Sequence, residues 1–239
     1  MSPPSRPLLL TRPKADSEPL AERIAAAAPD LQVVISPLMR IEPRRGSVRL
    51  ADCDAVVFTS RNAVRATVGA ARSNAMPAHC VGPKTALAAR RAGFVTPVVE
   101  SSAAALAARI ADMQDPGRLL YLRGAHVTIN LAGQLAAKGI PVDEEIVYDQ
   151  ISLPLGRQAI KALNSGACVA TAYSRRTAIL FNDRQRQSRH AHIVHCLSRK
   201  IARAVSPQFR PVVASDRSEG AIARELVALA RNGIESPRS

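Results

Sequence analysis

Short apolar runs alternate along the chain with Ala-rich segments of helical periodicity. Runs such as Leu8–Leu10 and Ala55–Phe58 are apolar at every position, as in strands that are buried on both faces of a parallel sheet. Gly93 and Gly139 follow two of the helical segments, where a left-handed residue commonly ends a helix. The pattern predicts an α/β fold in which parallel sheets are flanked by helices. The predicted strands cover residues 8–10, 32–35, 55–58, 79–81, 96–99, 119–122, 142–147, 168–172, 192–197 and 211–213.

Two similar domains are indicated by the number of strands and by an internal repeat. About ten strands are many for one sheet in 239 residues, and two sheets of about five fit better. The segment around Ser60 resembles the segment around Ser174, and residues 81–86 resemble residues 197–202. These and two further weak matches keep the same order at a nearly constant offset of about half the chain. We therefore expect two similar α/β halves.

The balance of charge is strongly basic. The chain has 33 Lys and Arg residues against 19 Asp and Glu residues, which gives a formal net charge of +14. This indicates either a solvated basic surface or an acidic partner, such as nucleic acid, an anionic membrane or a polyanionic small molecule. Because the basic residues are spread along the chain without a basic arm or tail, we do not expect a nucleic-acid partner.

The cysteines and the hydropathy pattern bear on the compartment. Cys53, Cys80, Cys168 and Cys196 lie far apart and form no CxxC pair, so buried thiols are expected rather than a disulfide framework. No secretory signal is visible, and no stretch approaches the roughly 20 apolar residues that span a bilayer. We expect no membrane partner and a cytoplasmic location.

A hydroxyl residue or a glycine follows most of the predicted strands, directly before a helix and near a Lys or Arg. Each such position alone predicts a helix cap, in which the side-chain oxygen accepts a hydrogen bond from a free backbone N–H. Together they lie at the carboxyl ends of parallel strands, where open α/β sheets bind ligands and helix N-termini attract anions. The candidate binding residues are Thr11, Arg12, Ser60, Arg61, Gly82, Lys84, Thr85, Arg123, Gly124, Ser174, Arg175, Ser198 and Lys200.

These segments resemble the uroporphyrinogen-III synthase family. The resemblance runs in order over nearly the whole chain and is carried by Leu-Thr-Arg-Pro at 10–13, Phe-Thr-Ser-Arg-Asn-Ala-Val at 58–64, Val-Gly-Pro-Lys-Thr-Ala at 81–86, Leu-Tyr-Leu-Arg-Gly at 120–124 and Val-Tyr at 147–148. It implies two parallel α/β domains joined by a two-segment linker. One domain would comprise residues 1–36 and 154–239 and the other about 44–146, with linkers at about 37–43 and 147–153.

The resemblance also implies an activity. Members of this family are cyclising lyases that close hydroxymethylbilane to uroporphyrinogen III, with loss of water and inversion of the last pyrrole ring. The substrate carries many carboxylates, which matches a basic chain with helix N-termini at its strand ends. The reaction requires a positioned substrate and tolerance of transient charge rather than a protein nucleophile. We therefore expect no cofactor and no metal, and the resemblance implies a monomer.

Four residues receive roles from the resemblance. Tyr148 matches the tyrosine that assists the leaving hydroxyl as a general acid. Ser60, Thr85 and Ser174 match positions that hold substrate carboxylates. The alternative for Tyr148 is a linker tyrosine that only packs its ring.

One motif departs from the family pattern. Residues 198–201 read Ser-Arg-Lys-Ile where the family usually has residues like Gly-Pro-Thr-Thr. Loss of the glycine restricts the approach of the backbone to a carboxylate, although Arg199 and Lys200 could compensate with charge. A catalytically weak or silent relative that binds tetrapyrroles is therefore the alternative function.

Other motifs point to chemistry that we do not expect. Residues 190–196 contain three histidines and a cysteine, but a loop that enters a strand explains them as well as a metal site does. Asp52 and Asp54 lack the lysine and threonine set of a response regulator. Residues 82–85 end in Lys-Thr without the upstream glycine of a phosphate-binding loop. A nucleic-acid-binding protein stays open as another class, and it would show steeply salt-dependent binding.

Overall fold

The computed structural model describes residues 5–46, 48, 50–68, 76–127 and 129–233. The chain divides into two compact units. Unit 1 is drawn from residues 1–40 and 151–239, and unit 2 is drawn from residues 41–150. The α/β fold class predicted from the sequence is confirmed. The linker role of residues 37–43 and 147–153 stays a prediction, and strands run through both segments.

The described strands are, in chain order, β1 (Leu8–Leu10), β2 (Val33–Ile35), β3 (Met39–Pro43), β4 (Ala55–Phe58), β5 (Ala78–Val81), β6 (Val99–Glu100), β7 (Leu119–Gly124), β8 (Val142–Ser152), β9 (Val169–Ala172), β10 (Ile193–Cys196) and β11 (Arg210–Val213). The described helices are α1 (Lys14–Ala27), α2 (Arg61–Ala66), α3 (Pro83–Arg91), α4 (Ala103–Ala111), α5 (Leu131–Ala136), α6 (Arg157–Ser165), α7 (Arg175–Arg184), α8 (Arg199–Ala202) and α9 (Glu219–Asn232). A short 3-10 turn covers Leu50–Asp52.

The described sheet of unit 1 has the strand order β11-β10-β9-β1-β2, and the paired strands are parallel. Successive residues of β1 pack on opposite faces. Leu9 joins a core with Leu163 and Phe181, whereas Leu8 and Leu10 join a second core beneath α1 and α9. These side chains are at most 1% exposed, and burial of each contributes roughly 1.5–3 kcal/mol. The apolar runs therefore record burial on both faces of the sheet.

The described sheet of unit 2 has the order β3-β8-β7-β4-β5-β6, and the strands from β8 to β6 pair in parallel. Its two faces also carry separate cores. Phe58 packs on one face, where its ring meets Phe94 edge to face at a centroid distance of 5.2 Å. Val57, Leu106 and Tyr121 pack on the other face.

Three strands differ from the sequence prediction for physical reasons. Strand β3 was not predicted, and it lies at the edge of its sheet beside β8. Strand β6 contains two residues rather than the predicted 96–99, because Pro97 cannot donate a ladder hydrogen bond. Strand β8 continues beyond the predicted 142–147 to Ser152, and this extension is not an apolar run because it contains Asp149, Gln150 and Ser152. The sequence also predicts a helix from an apolar stripe at residues 63, 64, 67, 68 and 71, and residue 71 lies outside the described residues.

Within the ranges that the structure describes, no helix is both long and apolar enough to cross a bilayer.

His192, which directly precedes β10, is fully buried in unit 1. Its Nδ1 accepts a hydrogen bond from the Cys168 N–H at 3.2 Å, and its Nε2 lies 2.9 Å from Ser188 Oγ. Burial, with a smaller contribution from His190, lowers the pKa of His192 from 6.5 to about 4. An unfolded chain with an ordinary histidine pKa binds more protons between these values, so stability falls as the pH drops through this window.

We predict that His192→Gln removes this part of the acid sensitivity. The variant is less stable than the wild type at pH 7, because its packing is disturbed. The difference between their free energies of unfolding narrows by up to about 3 kcal/mol as the pH falls from about 6.5 to about 4. Urea denaturation across this pH range measures the difference, and a constant difference would contradict the assignment.

Candidate functional site

Serine side chains cap helices at the carboxyl edge of each sheet. In unit 1, Ser174 Oγ accepts a hydrogen bond from the Thr177 N–H at 3.0 Å, and Ser198 caps α8 in the same way. In unit 2, Ser60 Oγ accepts a hydrogen bond from the Asn62 N–H at 3.1 Å. The three serines therefore have the capping role that each motif alone predicts, and they stand where their strands end.

The N-terminus of α3 is built differently. Gly82 replaces a serine at the cap, with a φ of +82° that favours glycine. Apart from its chain neighbours, no described residue has an atom within 4 Å of where its Cβ would be. Its carbonyl accepts a hydrogen bond from the Thr85 N–H at 3.1 Å. Thr85 is 6% exposed, and Lys84 is exposed beside it. The space next to Gly82 can admit a ligand group close to the backbone.

Tyr148 lies where three separate sequence motifs of unit 2 meet. It pairs with Gly124 across β7 and β8, beside an irregularity of register at Arg123 and Gly124. Its ring is 5% exposed and its side chain hydrogen-bonds with Ser60. Burial raises the pKa of Tyr148, and the hydrogen bond with Ser60 partly opposes this effect. The hydroxyl is therefore protonated at neutral pH and is able to donate a proton.

Gly124 makes this arrangement possible because it lacks a side chain. A Cβ at this position would lie 2.5 Å from Tyr148 Cζ and 2.8 Å from the hydroxyl oxygen. Real Cβ contacts are essentially never that short. The glycine is therefore required for the position of the Tyr148 ring.

Some predicted binding residues already have hydrogen-bond partners within the protein. The Arg123 side chain donates from Nε to Glu144 at 2.7 Å and from Nη1 to the Gly124 carbonyl at 3.1 Å. Thr11 is fully buried and links β1 to β9, since its hydroxyl donates to the carbonyl of Thr171. Their roles in binding stay predictions, and the structure gives each of them a contact within the fold.

Three cations of unit 1 are available at the carboxyl edge. Arg175, Arg199 and Lys200 are exposed, and none makes a side-chain hydrogen bond or ion pair with the part of the chain that the structure describes. They begin α7 and α8, so their charges add to the partial positive charge of the helix N-termini. Arg61 and Lys84 of unit 2 begin α2 and α3, and both have partners within the protein.

The departure at residues 198–201 has a structural counterpart. Helix α8 is a single turn of 4 residues, whereas α3, its equivalent in the repeat, has 9 residues. Ser198 has an extended backbone with φ −163°, so it does not need the left-handed conformation of Gly82. Its hydroxyl also accepts a hydrogen bond from the Ile201 N–H at 3.4 Å, a contact that a glycine cannot make. This end of unit 1 therefore presents side-chain cations rather than an open backbone.

The histidines and cysteines form no metal site in the described residues. His192 contacts Ser188 and the Cys168 backbone, as described above, and His195 contacts Tyr173 and Glu225. All four cysteines are free thiols, and burial raises the pKa of Cys196 to about 12.

One polar network was not found from the sequence. The Tyr173 hydroxyl lies 3.0 Å from His195 Nδ1, and His195 Nε2 lies 2.8 Å from Glu225 Oε2. The Arg12 guanidinium lies 5.5 Å from the centre of the Tyr173 ring and 3.9 Å from an Asp16 carboxylate oxygen. The signal for it in the sequence is a histidine that recurs at the equivalent position of the repeat, His79 in one half and His195 in the other.

The fold and these strand ends define the class of two-unit parallel α/β proteins that carry helix caps and basic groups at their carboxyl edges. Residues 18–223 match the model of the family described as uroporphyrinogen-III synthase HemD. Because the match covers most of the chain, the chain belongs to this family, whose members are cyclising lyases of tetrapyrrole biosynthesis. The family resemblance and the enzyme class predicted from the sequence are confirmed.

Solved structures agree with this assignment. The chain is similar to the uroporphyrinogen-III synthetase of Helicobacter pylori 26695, with a TM-score of 0.67 and 16% identity, over 94% of this chain and 99% of that one. It is also similar to a mutant uroporphyrinogen III synthase from the extremely thermophilic bacterium Thermus thermophilus, with a TM-score of 0.59 and 15% identity, over 93% and 98% of the two chains. At these identities the likeness shows the fold. A comparison with curated proteins finds no match.

We predict that Gly124→Ala destabilises the chain by about 1–3 kcal/mol, because the added methyl group must displace the Tyr148 ring. Gly220→Ala is the matched control, since its added Cβ would meet Arg224 at an ordinary 3.6 Å. Urea denaturation of both variants measures the difference. Equal stabilities for the two variants would show that the contact between Gly124 and Tyr148 does not constrain the site.

Proposed function

We propose that the chain closes hydroxymethylbilane to uroporphyrinogen III, with loss of water and inversion of the last pyrrole ring. The observation that carries the proposal is the meeting of three family motifs at one point in unit 2. Ser60, Gly124 and Tyr148 come from separate segments of the chain, and the Tyr148 side chain contacts both of the others. Family membership over residues 18–223 supports the same reaction.

Tyr148 acts as the general acid. The bond from carbon to the leaving hydroxyl breaks more readily when a proton reaches the oxygen, which then departs as water. The raised pKa of Tyr148 keeps its proton in place at neutral pH until the substrate oxygen is positioned. The hydrogen bond with Ser60 and the packing on Gly124 fix the direction of the hydroxyl.

Substrate carboxylates bind to the carboxyl edges of the sheets. In unit 1 this role falls to Ser174 and to the available cations Arg175, Arg199 and Lys200. In unit 2, Gly82 supports close approach to the backbone at the start of α3. The remaining predicted contacts are assigned to the substrate on the same argument and are Thr11, Arg12, Ser60, Arg61, Lys84, Thr85, Arg123, Gly124 and Ser198.

The setting of the reaction is also proposed. The chain acts as a monomer in the cytoplasm, without a nucleic-acid partner. Free thiols at Cys53, Cys80, Cys168 and Cys196 support a reducing compartment. The available cations stand singly or in pairs at strand ends, which fits separate carboxylates better than the regular phosphates of a duplex.

A silent tetrapyrrole-binding relative is the second candidate. It is favoured by the single turn of α8 and by Ser198, whose hydroxyl occupies a helix N–H. Such a protein would retain affinity for the product without turnover.

We predict that Tyr148→Phe lowers kcat by about 100-fold or more without abolishing turnover, because one positioned acid supplies roughly 10²- to 10⁴-fold. Tyr121→Phe is the matched control, since Tyr121 is another buried tyrosine of unit 2, with its hydroxyl 2.9 Å from Thr59 Oγ1. Hydroxymethylbilane is generated in situ, and the formation of the type III isomer is timed. Equal rates for the two variants would show that Tyr148 is not the general acid.

We predict that Ser174→Ala raises KM several-fold, whereas Ser218→Ala does not. Both serines cap helices of unit 1, so each substitution costs about 1 kcal/mol of stability through the lost cap. Only Ser174 stands among the cations that bind carboxylates in this proposal. Thermal unfolding and steady-state kinetics are measured on the same samples, and equal KM values would restrict Ser174 to capping.

A further inference from the structure

Three buried or partly buried side chains of unit 1 form a continuous chain of hydrogen bonds. Tyr173 stands directly after β9, His195 lies in β10 and Glu225 lies in α9. The Tyr173 hydroxyl is 3.0 Å from His195 Nδ1, and His195 Nε2 is 2.8 Å from Glu225 Oε2. His195 is fully buried, the Glu225 side chain is 25% exposed, and Tyr173 is partly exposed at the carboxyl end of its strand.

The hydrogen bonds of Glu225 determine which group donates and which accepts in each hydrogen bond of the network. Its Oε1 accepts hydrogen bonds from the Ser215 N–H at 3.0 Å and from the Ser215 hydroxyl. Burial opposes ionisation, but these bonds and the contact with His195 lower the pKa of Glu225 overall. An ionised Glu225 can only accept, so His195 carries its proton on Nε2 and offers Nδ1 as an acceptor. The Tyr173 hydroxyl therefore donates to His195.

The internal repeat shows that the fold does not require this network. In unit 2, His79 occupies the strand position equivalent to His195, and its buried Nδ1 has no hydrogen-bond partner in the described residues. Thr59 stands at the position equivalent to Tyr173, and its hydroxyl contacts Tyr121 instead. Among the described residues, a tyrosine and a carboxylate hold the repeated histidine in unit 1 and not in unit 2. A buried polar network of this kind has a cost in desolvation, so its presence in one half points to a function there.

We propose that Tyr173, His195 and Glu225 form a proton relay that accepts the proton released by the substrate when the ring closes. This inference rests on the proposed function. After the bond from carbon to the hydroxyl breaks, the last pyrrole attacks the resulting cation through its substituted α-carbon. The older bond from that carbon to its methylene group then breaks, and the methylene group rejoins the inverted ring at the α-carbon that carries a hydrogen. A ring proton must then leave to restore the aromatic pyrrole. The Tyr173 oxygen takes that proton while its own proton moves to His195 Nδ1.

The protons lost and gained in this reaction balance between the protein and the solvent. Tyr148 has given one proton to the departing water, and the relay has gained one on His195. The resulting imidazolium is stabilised by a hydrogen bond to the ionised Glu225 carboxylate. A hydrogen bond between two charged groups is stronger than one between neutral groups. Exchange with solvent then restores both groups, and the net change is the loss of one water molecule from the substrate.

The surroundings favour this direction of transfer. Burial raises the pKa of Tyr173, and the charge of Arg12 above its ring opposes that effect and stabilises transient negative charge on the oxygen. Burial lowers the pKa of His195, and Glu225 raises it in part. His195 is therefore neutral at pH 7 and ready to accept a proton. The titratable or charged groups that act on this pair are Arg12, Cys196 and Glu225, and Cys196 keeps its proton because burial raises its pKa to about 12.

A pH profile distinguishes a relay from a structural network. Because His195 must be neutral to accept a proton, kcat should fall as the pH drops below the pKa of His195. Glu225→Gln removes the carboxylate that raises this pKa, so the acid limb of the profile should move to lower pH. A purely structural role would lower the amount of folded enzyme without moving the midpoint of the acid limb.

The test compares Tyr173→Phe, His195→Gln and Glu225→Gln with the wild type in the timed isomer assay. We expect the first two to lower kcat by about 10- to 100-fold, with KM within about twofold and with loss of the acid limb. His192→Gln is the matched control, since it removes another buried histidine of the same sheet that does not contact Tyr173. It should lower stability and leave the pH profile of kcat unchanged.

The outcomes separate the relay from the proposed function. If the wild type forms the type III isomer and Tyr173→Phe keeps its kcat and its pH profile, the relay is overturned while the proposed function stands. If the wild type forms no type III isomer, the proposed function fails. The network itself is then tested by NMR titration of the His195 imidazole. Glu225→Gln should lower the pKa of His195, and an unchanged pKa would overturn the network as well.

Discussion

The burial of the central strands on both faces is the constraint on which the rest of the structure depends. A strand such as β4, apolar at every position, leaves no side chain of its own for chemistry. In such strands the polar side chains that can meet a ligand stand where the strand stops and a helix begins. Parallel pairing brings these points to one edge of each sheet. The serine caps and the exposed cations therefore stand at strand ends, whereas His195 and Tyr148 lie within β10 and β8 and hydrogen-bond with polar partners there.

The two units use the same plan and have diverged at equivalent positions. Gly82 leaves the start of α3 open to the backbone, whereas Ser198 closes the start of α8 with its own hydroxyl. His79 is left with an unpartnered nitrogen among the described residues, whereas His195 is held between two partners. We propose that the two units have different roles. Unit 2 holds Tyr148 as an acid, and unit 1 provides available cations and a base.

The sequence was sufficient for the fold class, the family and most of the strands, because an apolar run and a capped helix are local signals. It was insufficient where a contact depends on register. The sequence does not show that Arg123 contacts Glu144, which the pairing of β7 with β8 brings beside it. The partners of His195 are 22 and 30 residues away, and they meet only when β9 pairs with β10 and α9 packs on the sheet. The sequence predicts only residues 142–147 of β8, because the extension to Ser152 contains polar residues and is not an apolar run.

The central claim is that this chain directs ring closure rather than only binding the ring. It is tested most directly by the isomer composition of the product when hydroxymethylbilane closes in the presence of increasing amounts of the folded wild-type chain. Spontaneous closure gives the type I isomer. If the chain directs closure, the fraction of type III rises with the amount of protein. Type I alone at every concentration, with binding of uroporphyrinogen III retained, would show that the chain is a silent tetrapyrrole-binding relative.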